Sequence, residues 1–422
     1  FGRQPTILVD GVPASVLART QDGAILTRVP AGVSSGTVRF EVSHPNGKAE
    51  LGRPMSRYAL AAARGTDALH VLREQQGVVT ENAPLAIPGV ARIAFSSDGA
   101  LAYVAARGGD DGQKKSAVHV VSMVGAHGPR VVQTSVPFAF EVVAIAVAER
   151  APLLVVVGTH ELKLFSLREP WRPAAYPTVD VSSSLENHGA IASADVSPDG
   201  HWLALALSDS NRLIFWDLGD PRAPRMAATL DVLPGERVSL ARDLSFSPAG
   251  EFLWVLSGES VATRKEGRWP SKLTSVRVSA APEVVRTVEI PGGSAPLAMT
   301  VGKSEKVPSG AAIRAVPEEA AIYVSAMRSA TGADGPAPTG LVLRTNMNGE
   351  GGIISALTGI PGDADATPDA RLWLGTVCAG SGAGATVSIV VVKLAQGEIA
   401  QSLPLESVTS CAAPFATCRL QP

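Results

Sequence analysis

Val196-Ser-Pro-Asp-Gly200-His-Trp-Leu-Ala-Leu-Ala-Leu207 joins a turn phrase to an unbroken apolar run, and the chain repeats that coupling three more times. Phe95-Ser-Ser-Asp-Gly99 leads into Leu101-Ala-Tyr-Val-Ala105, and Phe246-Ser-Pro-Ala-Gly250 into Phe252-Leu-Trp-Val-Leu256. A worn copy, Val147-Ala-Glu-Arg150, precedes Leu153-Leu-Val-Val-Val157. The turns fall at 99, 150, 200 and 250, a beat of about 50 residues, which is the period of a radial array of small sheets. Aspartate and glycine in these phrases suit a tight turn: the aspartate caps nearby backbone amides and the glycine accepts a positive φ. Repetition assigns them to turn chemistry, not to catalysis.

Working outward, each unit holds four short strand-like segments, the count of a propeller blade. The unit after Val90 gives segments at 91–95, 101–105, 117–122 and 130–135, and the units from 142, 191 and 244 follow suit. Two more weathered units are expected at about 296–360 and 366–406. Before Val90, segments at 56–63, 68–73 and 78–85 make a remainder that lacks its innermost strand. A ring leaves no free inner edge, so a C-terminal strand near Val408–Cys411 is expected to complete that first blade. The expected fold is all-β, with a seven-bladed β-propeller over residues 55–422.

The chain has 422 residues and a formal net charge of -2, which argues against a nucleic-acid binder with its basic stripe for phosphates. Its apolar runs are short and β-branched, so no transmembrane helix is expected. Three cysteines fall at Cys378, Cys411 and Cys418. Cys411 and Cys418 could close a small disulfide loop in an oxidising compartment, Cys378 is an alternative partner for either, and three free thiols are the other possibility.

Residues 1–52 read differently, as strands reversed at Asp10-Gly11, Asp22-Gly23 and Asn46-Gly47. Phe1-Gly2, Val9-Asp-Gly-Val-Pro-Ala14, Val29-Pro-Ala-Gly-Val-Ser-Ser-Gly36, Val38-Arg-Phe-Glu-Val42 and Pro45-Asn-Gly47 carry a resemblance to the IPT/TIG immunoglobulin-like domain. The resemblance implies the C-terminal half of a β-sandwich, entered partway through the domain, and a spacer or binding role. Phe95-Ser-Ser-Asp-Gly99, Asp195-Val-Ser-Pro-Asp-Gly200 and Ile214-Phe-Trp-Asp217 resemble the WD40-like and YVTN-type bacterial propellers. That second resemblance implies seven blades and a binding or scaffolding role.

Chemistry is sparse. Gly380-Ser-Gly-Ala-Gly384 has the wrong spacing for a nucleophile elbow and lacks the lysine of a phosphate loop. The seven histidines never pair at ligand spacing. Asp363, Asp365 and Asp369 alternate like calcium-loop oxygens but lack the central glycine and closing glutamate of an EF-hand. Glu149, Asp195, Asp243 and Glu318 stand on or near expected inner strands, where a polar channel lining is the ordinary explanation and a lactonase-type metal cluster the sharper one. Trp171 with Arg172, and Trp269 with Arg268, lie in loops with prolines and have the composition of interface anchors. Trp202, Trp254 and Trp373 are expected in the core.

These features lead to the expectation of a non-catalytic scaffold of a bacterial cell envelope or extracellular surface, without cofactor, whose partners are other surface proteins. Two alternatives stand beside it: a propeller hydrolase of the lactonase type with a metal in the central channel, and a glycan-binding module.

Overall fold

The computed structural model describes residues 5–14, 16–19, 25–27, 36–44, 47–63, 66–107, 115–124, 128–135, 137–185, 189–233, 239–259, 271–290, 295–301, 322–328, 339–346, 350–366, 371–379, 385–408 and 416–420. Among them, seven four-stranded antiparallel sheets follow one another past residue 57. Their inner strands are Val90–Phe95, Val142–Val147, Ile191–Val196, Ser239–Phe246, Ala295–Val301, Ile360–Ala366 and Ala416–Leu420. Each inner strand touches the next, and Ala416–Leu420 touches both Ile360–Ala366 and Val90–Phe95, so the chain of contacts closes on itself.

Burial is greatest in the second strand of these sheets for a physical reason. A second strand is covered on both faces by neighbouring sheets, so it is mostly apolar along its length instead of alternating. Leu153–Gly158 is buried along its whole length, and Leu372–Ala379 at all but its last residue. Outer strands meet water, and Arg130–Thr134 is exposed throughout. The core is divided among seams: one cluster joins Val155 and Leu164 to Leu205 and Ile214, another joins Leu213 and Phe215 to Leu244 and Val255. The last seam packs Ala59 and Leu72 against Leu374 and Val391.

The repeated turn phrases behave as expected. Gly99, Gly200 and Gly250 have φ of 68, 74 and 81°. The Asp98 carboxylate accepts from the Ser96 hydroxyl at 2.6 Å and from the Ala100 amide at 3.0 Å. Asp199 does the same for Ser197 and for the His201 amide.

Two sequence expectations are corrected. The closing strand is not Val408–Cys411 but Ala416–Leu420, which pairs with Arg57–Ala63 in the register Ala416↔Ala63 and Leu420↔Ala59. Val408 instead ends the outer strand Glu398–Val408, opposite Ala385. That strand absorbs two register shifts, between Val387 and Ser388 and between Val391 and Val392, and so uses up more chain than its apolar spacing suggests. The second correction concerns Asp363 and Asp365, which lie not in a loop but in the inner strand Ile360–Ala366, with Ala364 opposite Gly375 and Asp365 opposite Leu374.

Near the N-terminus, Thr6–Val9 pairs with Val12–Ala14 and with Gly36–His44, which pairs in turn with Gly47–Met55. Val16–Arg19 and Ile25–Thr27 form a separate two-stranded sheet. Val9 and Val38 are the buried centre of a small cluster with Ala14 and Phe40.

Candidate functional site

The inner strands Ile191–Val196 and Ser239–Phe246 of adjacent sheets are in contact and are joined by side-chain hydrogen bonds. Asp195 reaches across this seam, where its Oδ2 accepts from the Phe246 amide at 2.8 Å. Its Oδ1 accepts from the amide of Val196 at 2.8 Å. A reciprocal bond runs beside it: the Ser193 hydroxyl donates to Asp243 Oδ1 at 3.2 Å, and that oxygen also accepts from the Leu244 amide at 2.9 Å. Asp195 and Asp243 are each half-buried.

The electrostatics follow from this placement. Packing around Asp195 disfavours its charged form and pushes the carboxyl up to about 7, with the nearby carboxylates of Asp243 and Glu149 adding to the rise. The amides of Phe246 and Val196 oppose it without cancelling it. A carboxyl poised near neutrality can exchange a proton with a bound molecule at physiological pH.

The adjoining turns frame one end of this seam. The Arg150 amide donates to the Pro198 carbonyl at 2.7 Å, and the Arg150 guanidinium donates to the Pro248 carbonyl two sheets along. Gly200 lies so close that an added Cβ would stand 2.7 Å from Ala151 Cβ.

Of the four acidic candidates, the structure groups Asp195 with Asp243, and Glu149 is near enough to influence Asp195. Glu318 lies outside the described residues. Asp363 and Asp365 stand on another inner strand, where each Oδ1 accepts from the following amide, at 3.1 and 2.9 Å; Asp369 lies outside the described residues. Among the described residues, no three histidine, cysteine, aspartate or glutamate side chains converge as a metal-ligand set. Sequence reasoning missed Ser193 and Arg150. A signal for Ser193 was present: it and Asp243 both stand four residues before a turn serine, Ser197 and Ser247.

Trp171 is 59% exposed in the turn before Ala174–Asp180, with Arg172 exposed beside it. The Arg172 amide donates to Glu169 at 2.9 Å, and the Tyr103 hydroxyl of the preceding sheet donates to Pro170 at 3.0 Å, so the turn is held from both sides. Arg268 and Trp269 lie outside the described residues. Trp254 and Trp373 are fully buried and Trp202 half-buried, edge-on to His201. Cys378 is buried and disulfide-bonded, which draws it into a bridge; Cys411 lies outside the described residues, as does the side chain of Cys418.

No protein-family model and no curated protein matches the sequence. Solved structures do match in fold. A putative 6-phosphogluconolactonase from Bacteroides uniformis aligns at 16% identity and a TM-score of 0.59, covering 86% of this chain and 99% of that one. The β-propeller domain of Cps50 from Myceliophteria thermophila aligns at 9% identity with a TM-score of 0.51, over 78% and 96% of the two chains. The periplasmic gluconolactonase PpgL of Pseudomonas aeruginosa aligns at 13% identity with a TM-score of 0.51, over 87% and 99%. The fold is a β-propeller. The expectation of a non-catalytic scaffold that is not an enzyme is corrected by these neighbours, because the first is named a putative lactonase and the third a gluconolactonase; at 13–16% identity the likeness itself is one of fold. No helix among the described residues is long and apolar enough to cross a membrane.

Proposed function

We propose that this chain is a propeller hydrolase of the lactonase type, opening the ring ester of a sugar lactone with Asp195 as general base. The observation that carries the reading is the Asp195 carboxyl, set on an inner strand and raised to about 7. The fold likeness to lactonases supports it without assigning a substrate. In its ionised form Asp195 takes a proton from water as the oxygen attacks the lactone carbonyl. The ring C–O bond then breaks, and the departing ring oxygen takes up the proton to give a hydroxy acid. Ser193 and Asp243 hold the neighbouring inner strand in register with Asp195.

The same reading takes the seven sheets as seven blades and the N-terminal strands as an immunoglobulin-like module. It places the protein in a disulfide-permitting compartment such as the periplasm or cell exterior, because Cys378 is oxidised. Trp171 and Arg172 are its proposed contact with a surface partner. The test is acid release from glucono-1,5-lactone, followed with a pH indicator. Turnover above the spontaneous rate, cut about 100-fold or more in a folded Asp195→Asn protein, is the expected result. Absence of turnover with a panel of sugar lactones would refute the reading.

A further inference from the structure

The seam that closes the ring carries a covalent tie that lactone hydrolysis does not use. Cys378, near the end of Leu372–Ala379, is 1% exposed and disulfide-bonded. It packs with Ala63, Ala385 and Val387. Ala63 is the residue whose backbone lies opposite Ala416, the first residue of the closing strand. Cys378 therefore sits where the last strand of the chain is stitched into the sheet begun by Arg57–Ala63. The chain has three cysteines, and the other two precede or belong to that last strand: Cys411, and Cys418 within Ala416–Leu420.

We propose that Cys378 is bridged to one of these two, making the disulfide a redox-controlled lock on ring closure. A dithiol reductant splits the S–S bond, delivering two electrons and two protons to give two thiols, and becomes a disulfide itself. The closing strand is then held only by its pairing with Arg57–Ala63 and by its contacts with Ile360–Ala366 and Val90–Phe95. A strand of five residues, without a covalent tie, opens more readily than the longer strands it packs among. The bridge also shortens a long loop in the unfolded chain, where cross-linking restricts most. Opening the strand removes one of the inner strands that make the ring and bares the edge of Arg57–Ala63.

The test is tryptic cleavage of the full chain with and without dithiothreitol, read by intact mass at two sites. Arg419 lies in the closing strand, and Arg225 begins an exposed outer strand in another sheet. Reduction is expected to speed cleavage at Arg419 about 100-fold and leave Arg225 unchanged. Cys378→Ser without reductant should cleave like the reduced protein; if that variant does not fold, the reduced wild type decides alone. Alkylation of denatured, unreduced protein should label one thiol, against three after reduction. Equal cleavage at Arg419 in both redox states, a matching rise at Arg225, or three labelled thiols before reduction would overturn the proposal.

Discussion

Replacing Asp195 by asparagine should remove a specific part of the pH dependence of stability. The carboxyl is raised from an ordinary 3.8 to about 7 in the folded protein, so the folded state binds its proton more tightly than the unfolded chain does. For an acid shifted upward, the stabilisation is complete below about pH 4 and declines as pH rises to about 7, above which the penalty is constant. At about 1.4 kcal/mol per pH unit, the interval from pH 5 to pH 8 spans up to ~3 kcal/mol of destabilisation. Asp195 as a residue is half-buried, and discounting for solvent screening brings this to about 1–2 kcal/mol. Urea unfolding of wild type and Asp195→Asn at both pH values isolates the effect, because other titrating groups cancel in the difference. The asparagine protein is expected to start less stable at pH 5, since its side chain has one accepting oxygen in place of two and its NH2 must face the amide of Phe246 or of Val196, and to lose less on going to pH 8. Parallel pH profiles for the two proteins would refute the reasoning.

Three further substitutions probe packing and surface. Gly375→Ala would place a methyl 2.2 Å from the fully buried ring of Trp373, so a loss of about 1–3 kcal/mol in urea unfolding is expected. Gln401 both accepts from the Val79 amide at 2.7 Å and donates to the Val79 carbonyl at 3.0 Å, clasping the outer strands of two adjacent sheets. Gln401→Ala should cost about 1–2 kcal/mol, readable as a lower denaturation midpoint. Trp171→Ala should leave stability within about 0.5 kcal/mol, measured by thermal unfolding, because the ring is largely in water.

The parts of the fold legible in sequence were those where local chemistry and burial agree. Ser197, Asp199 and Gly200 announce a turn by themselves, and Leu203–Leu207 can only be a strand covered on both faces. Where they disagree, the reading slipped. Ile360–Ala366 carries a proline, a glycine and two aspartates, all poor strand formers, and is held as an inner strand by its pairing with Leu372–Ala379. Ala416-Thr-Cys-Arg-Leu420 is likewise weak in local preference and takes its place from an open edge more than 350 residues earlier. The candidate site was half visible. Asp195 and Asp243 stood out as acidic residues on apolar strands, but their linkage through Ser193 and the Phe246 amide depends on how neighbouring sheets meet.

The pH dependence of kcat/KM for sugar-lactone hydrolysis, compared between wild type and Asp195→Asn, tests the central claim most directly. The wild-type rate, corrected for spontaneous opening, should rise with pH through an apparent pKa near 7, and the asparagine protein should lose both the rate and the rise. Wild-type activity with an unchanged profile in Asp195→Asn would contradict the assignment of Asp195 as the base.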